Sequence, residues 1–295
     1  MDSVGVIGVG HIGKGFVERL LDADREVVAY DIDERQLEWA EEQGAAVATS
    51  PAAVTEGVEV VVMAVPGTPE VEAVVGGPDG VLDGGEDGQV IVDATTTLPR
   101  TSVECAALCA EHGMAFLEAP ITGGSPREGM HMMIGGDAET YDHAADLLDL
   151  LCEDHVRIGP VGDAMVFKLG IQLRYAGRKA LDAEIVEFLR DNDVDARPLV
   201  DFLEFDVSDR YFSGDYSQGI EGLGGLAIWH KDIGYARKVA QEGTTALPLG
   251  MVLHEAYKAA IRRVGDDEGS SAALIRYWEA LNDAEGRAES ADWDG

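Results

Sequence analysis

Val4-Gly5-Val6-Ile7-Gly8-Val9-Gly10-His11-Ile12-Gly13 decides how this chain is read. A β-branched run ends in glycines spaced G-x-G-x-x-G, and a helix-forming stretch, Lys14 to Leu21, follows at once. The next apolar run, Val27-Val28-Ala29-Tyr30, closes on Asp31, about 20 residues downstream of the glycines. Strand, glycine turn, helix, strand and acid in that order predict a dinucleotide-binding βαβ unit. Gly8 permits the tight turn, Gly10 lets the backbone approach a pyrophosphate, and Gly13 lets helix and strand pack closely. His11 and Ile12 open the helix, whose unpaired N–H groups and positive dipole end favour phosphate. Asp31 is placed to accept hydrogen bonds from both ribose hydroxyls. Its charge repels a 2′-phosphate, so NAD is expected in preference to NADP. The competing account is an ordinary glycine-rich turn beside a surface aspartate.

Composition narrows the classes of function. With 295 residues the chain can form one large or two modest domains, each with its own core. Hydrophobic residues make up 46% of it and mean hydropathy is −0.04, as in globular proteins in water. The longest apolar run, Val58 to Val65, is broken by Glu59 and is too short to span a bilayer. A strand begins almost at the first residue, leaving no room for a signal peptide, so a cytoplasmic protein is expected. Acidic residues number 56 against 22 Lys and Arg, a net charge of −34 spread along the whole chain. Strong salt screens such self-repulsion, the Debye length falling to about 3 Å at 1 M, which points to a halophile's cytosol. An acidic surface for a basic partner is the alternative. No basic stripe is present to neutralise phosphates, which disfavours nucleic-acid binding. Cys105, Cys109 and Cys152 have no His or Cys at metal-ligand spacing, so no metal is expected and all three read as reduced, buried thiols.

From Val4 to about Ile158 short β-branched runs alternate with helical stretches. Strands are predicted at 4–9, 26–30, 46–48, 58–64, 89–92, 115–117, 131–134 and 155–158. Start signals precede several helices: Asp33 before 34–43, Ser50-Pro51 before 52–56, and Leu98-Pro99 before 100–112. This alternation predicts an α/β fold, a Rossmann-type doubly wound and mostly parallel sheet. Beyond Gly159-Pro160-Val161-Gly162 the pattern turns helical throughout, with stretches at 163–191, 196–205, 226–242, 247–263 and 271–282. The expected division is a dinucleotide-binding domain over 1–162 and a helical substrate and oligomerisation domain over 163–283. The second begins with a long interdomain helix, and an acidic, frayed tail occupies 284–295.

Further segments sit where an open α/β sheet places its ligands, at the ends of predicted strands. They are Val65-Pro66, Asp93-Ala94-Thr95-Thr96-Thr97-Leu98-Pro99, and Glu118-Ala119-Pro120-Ile121-Thr122-Gly123-Gly124-Ser125. Successive N–H groups of a Thr-Gly-Gly turn make a cradle for a small carboxylate. Each segment taken singly also reads as a plain loop. On the long helix Lys168, Gln172, Tyr175 and Lys179 share a face. Lys168 lies among Met165, Val166, Phe167 and Leu169, an apolar setting that suits a proton-transfer lysine; a snorkelling surface lysine is the plainer reading.

Together these residues resemble the β-hydroxyacid dehydrogenases, which include 3-hydroxyisobutyrate, tartronate-semialdehyde and glyoxylate/succinic-semialdehyde reductases. The resemblance covers Val4 to about Asn282 and rests on motifs in the right order. These are the Gly8–Gly13 fingerprint, Val65-Pro66, 93–99, Thr122-Gly123-Gly124, the Lys168 helix and Trp229-His230-Lys231-Asp232-Ile233-Gly234-Tyr235-Ala236. It implies that Lys168 exchanges a proton with the substrate hydroxyl while hydride passes to or from nicotinamide. It implies that Thr122, Gly123 and Gly124 hold the substrate, with Gln172 where the family has an asparagine. Val65, Pro66 and Thr96 then line the nicotinamide end, and Lys231 lies near the cofactor.

Three departures border the substrate: Gln for Asn at 172, Thr for Ser at 122, and a loop after Gly124 about two residues short. Arg127 in that loop suits a carboxylate, phosphate or sulfonate on the substrate, or is a solvated loop charge. The expected activity is NAD-dependent oxidation of a small anionic 3-hydroxy acid, or reduction of its semialdehyde, by a homodimer or homotetramer. The alternatives are an imine reductase on the same scaffold and a protein that binds NAD without turnover. A 6-phosphogluconate-type dehydrogenase is disfavoured because the Lys168 helix lacks that group's His-Asn pattern.

Overall fold

A computed structural model describes residues 2–124, 126–127, 129–213, 225–264 and 271–282. The expected tail at 284–295 lies outside them, as do Ser125 and Glu128 of the short loop. The chain divides into two compact units, Met1–Leu169 and Gly170–Gly295.

The first unit holds nine strands: β1 (Ser3–Ile7), β2 (Glu26–Tyr30), β3 (Ala46–Val47), β4 (Val60–Met63), β5 (Val90–Asp93), β6 (Ala115–Glu118), β7 (Ile121–Thr122), β8 (His131–Gly135) and β9 (Asp154–Gly159). Between them run α1 (His11–Asp22), α2 (Glu34–Gln43), α3 (Pro51–Thr55), α4 (Thr68–Gly76), α5 (Val81–Gly84), α6 (Pro99–Glu111) and α7 (Ala138–Leu151). The strands form one sheet in the order β3-β2-β1-β4-β5-β6-β8-β7, with β9 beside β8. Pairing is parallel from β3 to β6, antiparallel where β8 meets β6 and β7, and parallel again at β9.

Alternation within the strands sends side chains to two cores. Val60, Val62, Val90, Val92 and Leu117 face one, closed by Phe16, Val17 and Leu20 of α1 and by Leu147, Leu148 and Leu151 of α7. Val61, Met63, Ile91 and Phe116 face the other, closed by Val54 of α3, Val71 and Val75 of α4, Val81 of α5, and Cys105 and Cys109 of α6. Burial on both faces explains why these strands read as continuous apolar runs. It also pushes the Cys105 and Cys109 thiols up to about 12.

A 29-residue helix, α8 (Asp163–Asp191), continues the chain, and the units part within it, after Leu169. The second unit contains α9 (Pro198–Asp201), α10 (Arg210–Ser213), α11 (Leu226–Glu242), α12 (Pro248–Val264), a 3-10 turn (Ser271–Leu274) and α13 (Ile275–Leu281). Its core gathers Ala176, Ala183, Tyr211, Ile233, Tyr257 and Ile275. The helix predicted over 196–205 shrinks to one turn, and Glu204 beyond it takes a left-handed φ of 56°, which no helix continues through.

Candidate functional site

Parallel register sets Tyr30, Ile7, Met63, Asp93 and Glu118 in one row across β2, β1, β4, β5 and β6. The residues that follow them therefore emerge along a single edge of the sheet. Asp31, the Gly8–Gly13 loop, Val65-Pro66, Thr96 and Thr122 all leave from strand C-terminal ends there. The strand order turns back between β1 and β4, which opens the crevice where such sheets bind ligands.

The fingerprint glycines meet the demands placed on them. Gly8 has φ +86°, and a Cβ there would stand 2.3 Å from the Ala64 carbonyl oxygen. A Cβ on Gly13 would stand 1.8 Å from the Gly8 carbonyl oxygen, so α1 closes on β1 only with glycine. A Cβ on Gly10 meets nothing within 4 Å, leaving the space a pyrophosphate needs. Gly10 is the N-cap of α1 and supplies no side-chain cap, so the first-turn N–H groups around His11 and Ile12 face that space. Asp31 accepts the Val9 N–H on Oδ2 at 2.6 Å and the Asp33 N–H on Oδ1 at 2.9 Å. A carboxylate has about four lone-pair sites, so acceptor capacity remains for two ribose hydroxyls. These residues fit a dinucleotide.

Beside the crevice, Val65 N–H donates to Thr95 Oγ1 at 3.1 Å, and Thr95 N–H donates to Asp93 Oδ1 at 2.9 Å. Asp93 is fully buried, and burial with the neighbouring Glu118 charge raises its carboxyl to about 7 against the pull of Thr95. Glu118 is also fully buried, and burial raises it in the same direction, partly offset by backbone N–H groups of Gly162 and Met165. Neither acid received a role from sequence, although each ends a buried apolar strand on a carboxylate. That pattern was the available signal.

Thr122, expected to open the turn, is instead the last residue of β7, paired with His131. Gly123 and Gly124 carry the turn with φ of +93° and +121°, both exposed. Arg127 is exposed, as a solvated loop charge would be, and its guanidinium pairs with Glu18 of α1 through two nitrogens. The loop is fastened further by Arg19, which donates to the Pro126 carbonyl at 2.7 Å.

Lys168 lies in the second turn of α8 and is only 6% exposed, although Val166 and Phe167 beside it are half exposed. Gln172 follows one turn later, likewise 6% exposed. Within the second unit its Nε2 donates to Asp232 Oδ2 at 2.5 Å. Asp232 of α11 is buried and stands 3.4 Å from the Lys231 ammonium through its other oxygen. Asp232 is a site residue that sequence reasoning left without a role. Lys231 also lies 5.5 Å from the centre of the Tyr235 ring. Lys179, on the predicted common face, lies over Trp229, and burial lowers its ammonium below the usual lysine range. Among the described residues no group of three His, Cys, Asp or Glu side chains is placed to hold a metal, and no helix is long and apolar enough to cross a membrane.

Comparison with known proteins agrees with this geometry. Residues 3–159 match the family described as the NAD binding domain of 6-phosphogluconate dehydrogenase. The chain is 24% identical over 291 residues to 2-(hydroxymethyl)glutarate dehydrogenase of Eubacterium barkeri, covering 94% of this chain and 95% of that one. Mycobacterium tuberculosis 3-hydroxyisobutyrate dehydrogenase, solved with L-serine, superposes with a TM-score of 0.83 at 20% identity, over 94% of this chain and 99% of that one. Psf3, solved with NADP+ and 2-OPP, superposes with a TM-score of 0.81 at 23% identity, with the same coverage of 94% and 99%. At these identities the structural likeness is one of fold. With its dinucleotide cradle on a Rossmann-type sheet and a helical unit after it, this chain belongs to the β-hydroxyacid dehydrogenase family, with an NAD-binding domain over residues 3–159.

Proposed function

We propose that this protein is an NAD-dependent dehydrogenase of small 3-hydroxy acids, or of the matching semialdehydes, with Lys168 as its general acid/base. The observation that carries this reading is Lys168 itself, a lysine 6% exposed in a chain of net charge −34 where cations are scarce. Burying an ammonium is costly, and the cost is understandable where the group must trade a proton. Bound nicotinamide supplies the hydride acceptor. Lys168 takes the hydroxyl proton as the carbinol becomes a carbonyl, and returns it in the reverse direction. The backbone N–H groups at Gly123 and Gly124 receive the substrate carboxylate beside Thr122, and the Gln172 amide orients the carbinol end. By the resemblance, Val65, Pro66 and Thr96 would line a bound nicotinamide, and Lys231 is assigned to cofactor binding.

Two relatives support the substrate class. 2-(Hydroxymethyl)glutarate and 3-hydroxyisobutyrate, for which these relatives are named, both carry a hydroxymethyl group on the carbon next to a carboxylate. L-serine, present in one structure, shares that unit. NAD is favoured over NADP by the Asp31 carboxylate, although one structural neighbour holds NADP+. Exposed Phe188, Leu249 and Val252 of the second unit support assembly into a homodimer or homotetramer. The acid-rich composition supports a salt-rich cytosol.

The test is direct. The protein is incubated in molar salt with NAD+ or NADP+ and a panel of short hydroxy acids, and NADH absorbance is followed. Turnover of a 3-hydroxy acid with NAD+ is expected. Retained NAD binding with no turnover of any panel member would overturn the reading in favour of a non-catalytic binding protein.

A further inference from the structure

Gly162 stands at the head of α8 with φ +105° and carries no side chain to cap it. The 29-residue helix nonetheless has its first N–H groups satisfied, by an acid 44 residues upstream in sequence. Glu118 Oε1, at the end of β6, accepts the N–H of Gly162 at 2.8 Å, of Ala164 at 2.9 Å and of Met165 at 3.2 Å. The carboxylate is fully buried, and the Ser102 side chain hydrogen-bonds to it as well. Gly135 of β8 makes the room: a Cβ there would stand 2.2 Å from Oε1. A second tie reaches the same turn, because Thr97 N–H, in the loop after β5, donates to Met165 Sδ at 3.3 Å. Lys168 follows Met165 by three residues.

We infer that Glu118 is the positioning residue of the reaction, a buried carboxylate that fixes the first turn of α8 to the sheet edge and so sets where the Lys168 ammonium stands. This rests on the reading of Lys168 as the acid/base. An anion at a helix N-terminus is favoured by the dipole, and three N–H donors on one oxygen fix both the axis and the rotation of the turn. Rotation matters because Lys168 projects from the next turn, where a small twist at Gly162 moves its ammonium. A displacement of about 1 Å at a reacting group lowers turnover by about 100-fold. Glu118 touches neither the dinucleotide cradle at Gly8–Gly13 nor Asp31, so cofactor affinity is not expected to follow.

Glu118→Ala, Glu118→Gln and Lys168→Ala are assayed side by side in molar salt for kcat, for KM and, by fluorescence titration, for NADH affinity. In Glu118→Ala kcat is expected to fall about 10-fold or more with NADH affinity within about 2-fold of the parent. Glu118→Gln, whose amide oxygen still accepts the N–H groups, is expected to recover most of the loss. An undiminished kcat in Glu118→Ala, an equal loss in Ala and Gln variants, or a parallel loss of NADH affinity each overturns the proposal. Should the alanine variant not fold, Glu118→Asp takes its place, its carboxylate one methylene short; unchanged kcat there overturns the proposal too. Lys168→Ala separates the two ideas. If it keeps its kcat, the acid/base reading fails, whereas an inactive Lys168→Ala beside a fully active Glu118→Ala removes only the positioning role.

Discussion

Asp31 Oδ2 accepts the Val9 N–H at 2.6 Å, so the acid that ends β2 also holds the glycine loop that ends β1. Under the proposed function one side chain thus serves two ends, shaping the glycine loop and keeping lone pairs for the ribose. Asp31→Ala is expected to weaken NAD+ binding about 10-fold, equivalent to about 1.4 kcal/mol, and to narrow the preference for NAD over NADP. Dissociation constants for both dinucleotides, measured on parent and variant, check this. Equal use of the two cofactors by the parent protein would sink the assignment of specificity to Asp31.

Lys168→Ala is expected to lower kcat by about 100-fold to 10,000-fold, the usual contribution of a positioned acid/base. NAD+ affinity should hardly change, because the cradle lies on other elements. Steady-state kinetics together with a binding titration separate the two effects. A variant that binds NAD+ normally and turns over normally contradicts the proposed chemistry.

Asp93 gives a prediction about pH. Its folded carboxyl is raised from 3.8 to about 7, chiefly by burial. The folded protein therefore holds a proton that the unfolded chain releases between about pH 4 and pH 7. Stability from this group is complete below about pH 4 and is lost as pH rises toward 7; Glu118 acts in the same direction. Asp93→Asn removes the titration while keeping an acceptor for the Thr95 N–H. The Tm of the variant minus that of the parent should rise from pH 4.5 to about 7 and level off above it. A difference independent of pH contradicts the raised carboxyl.

Salt should tighten cofactor binding. A pyrophosphate approaching a chain of net charge −34 is repelled over a Debye length of about 10 Å at 0.1 M salt, reduced to about 3 Å at 1 M. The NAD+ dissociation constant is expected to fall as KCl rises through this range, and the Tm to rise with it. Titrations at several KCl concentrations test both, and binding that weakens steadily with salt refutes the expectation.

Much of the first unit was legible because its signals are local. β2 spans 26–30 and α2 spans 34–43 as expected, one marked by its β-branched run and the other by the Asp33 N-cap. α8 and α11 likewise have their expected bounds, since no proline interrupts either. Helices α4 and α5 and the two-residue β7 were less legible, being short. The helix expected at 196–205 failed because helical propensity says nothing of the left-handed turn at Glu204. The ion pair of Arg127 was illegible for a related reason: its partner Glu18 lies 109 residues away.

By itself the sequence determined the cofactor cradle, the parallel sheet and the helical second half, because glycine spacing, β-branched runs and caps act within a few residues. It also named Lys168, Gln172 and Lys231 through resemblance. What each of these touches was decided only by tertiary structure. Gln172 is committed to Asp232, Arg127 to Glu18, and the head of the Lys168 helix to Glu118. These are side-chain partnerships across sequence separations of 44 to 109 residues, and spacing along a chain carries no record of them until folding brings the partners together.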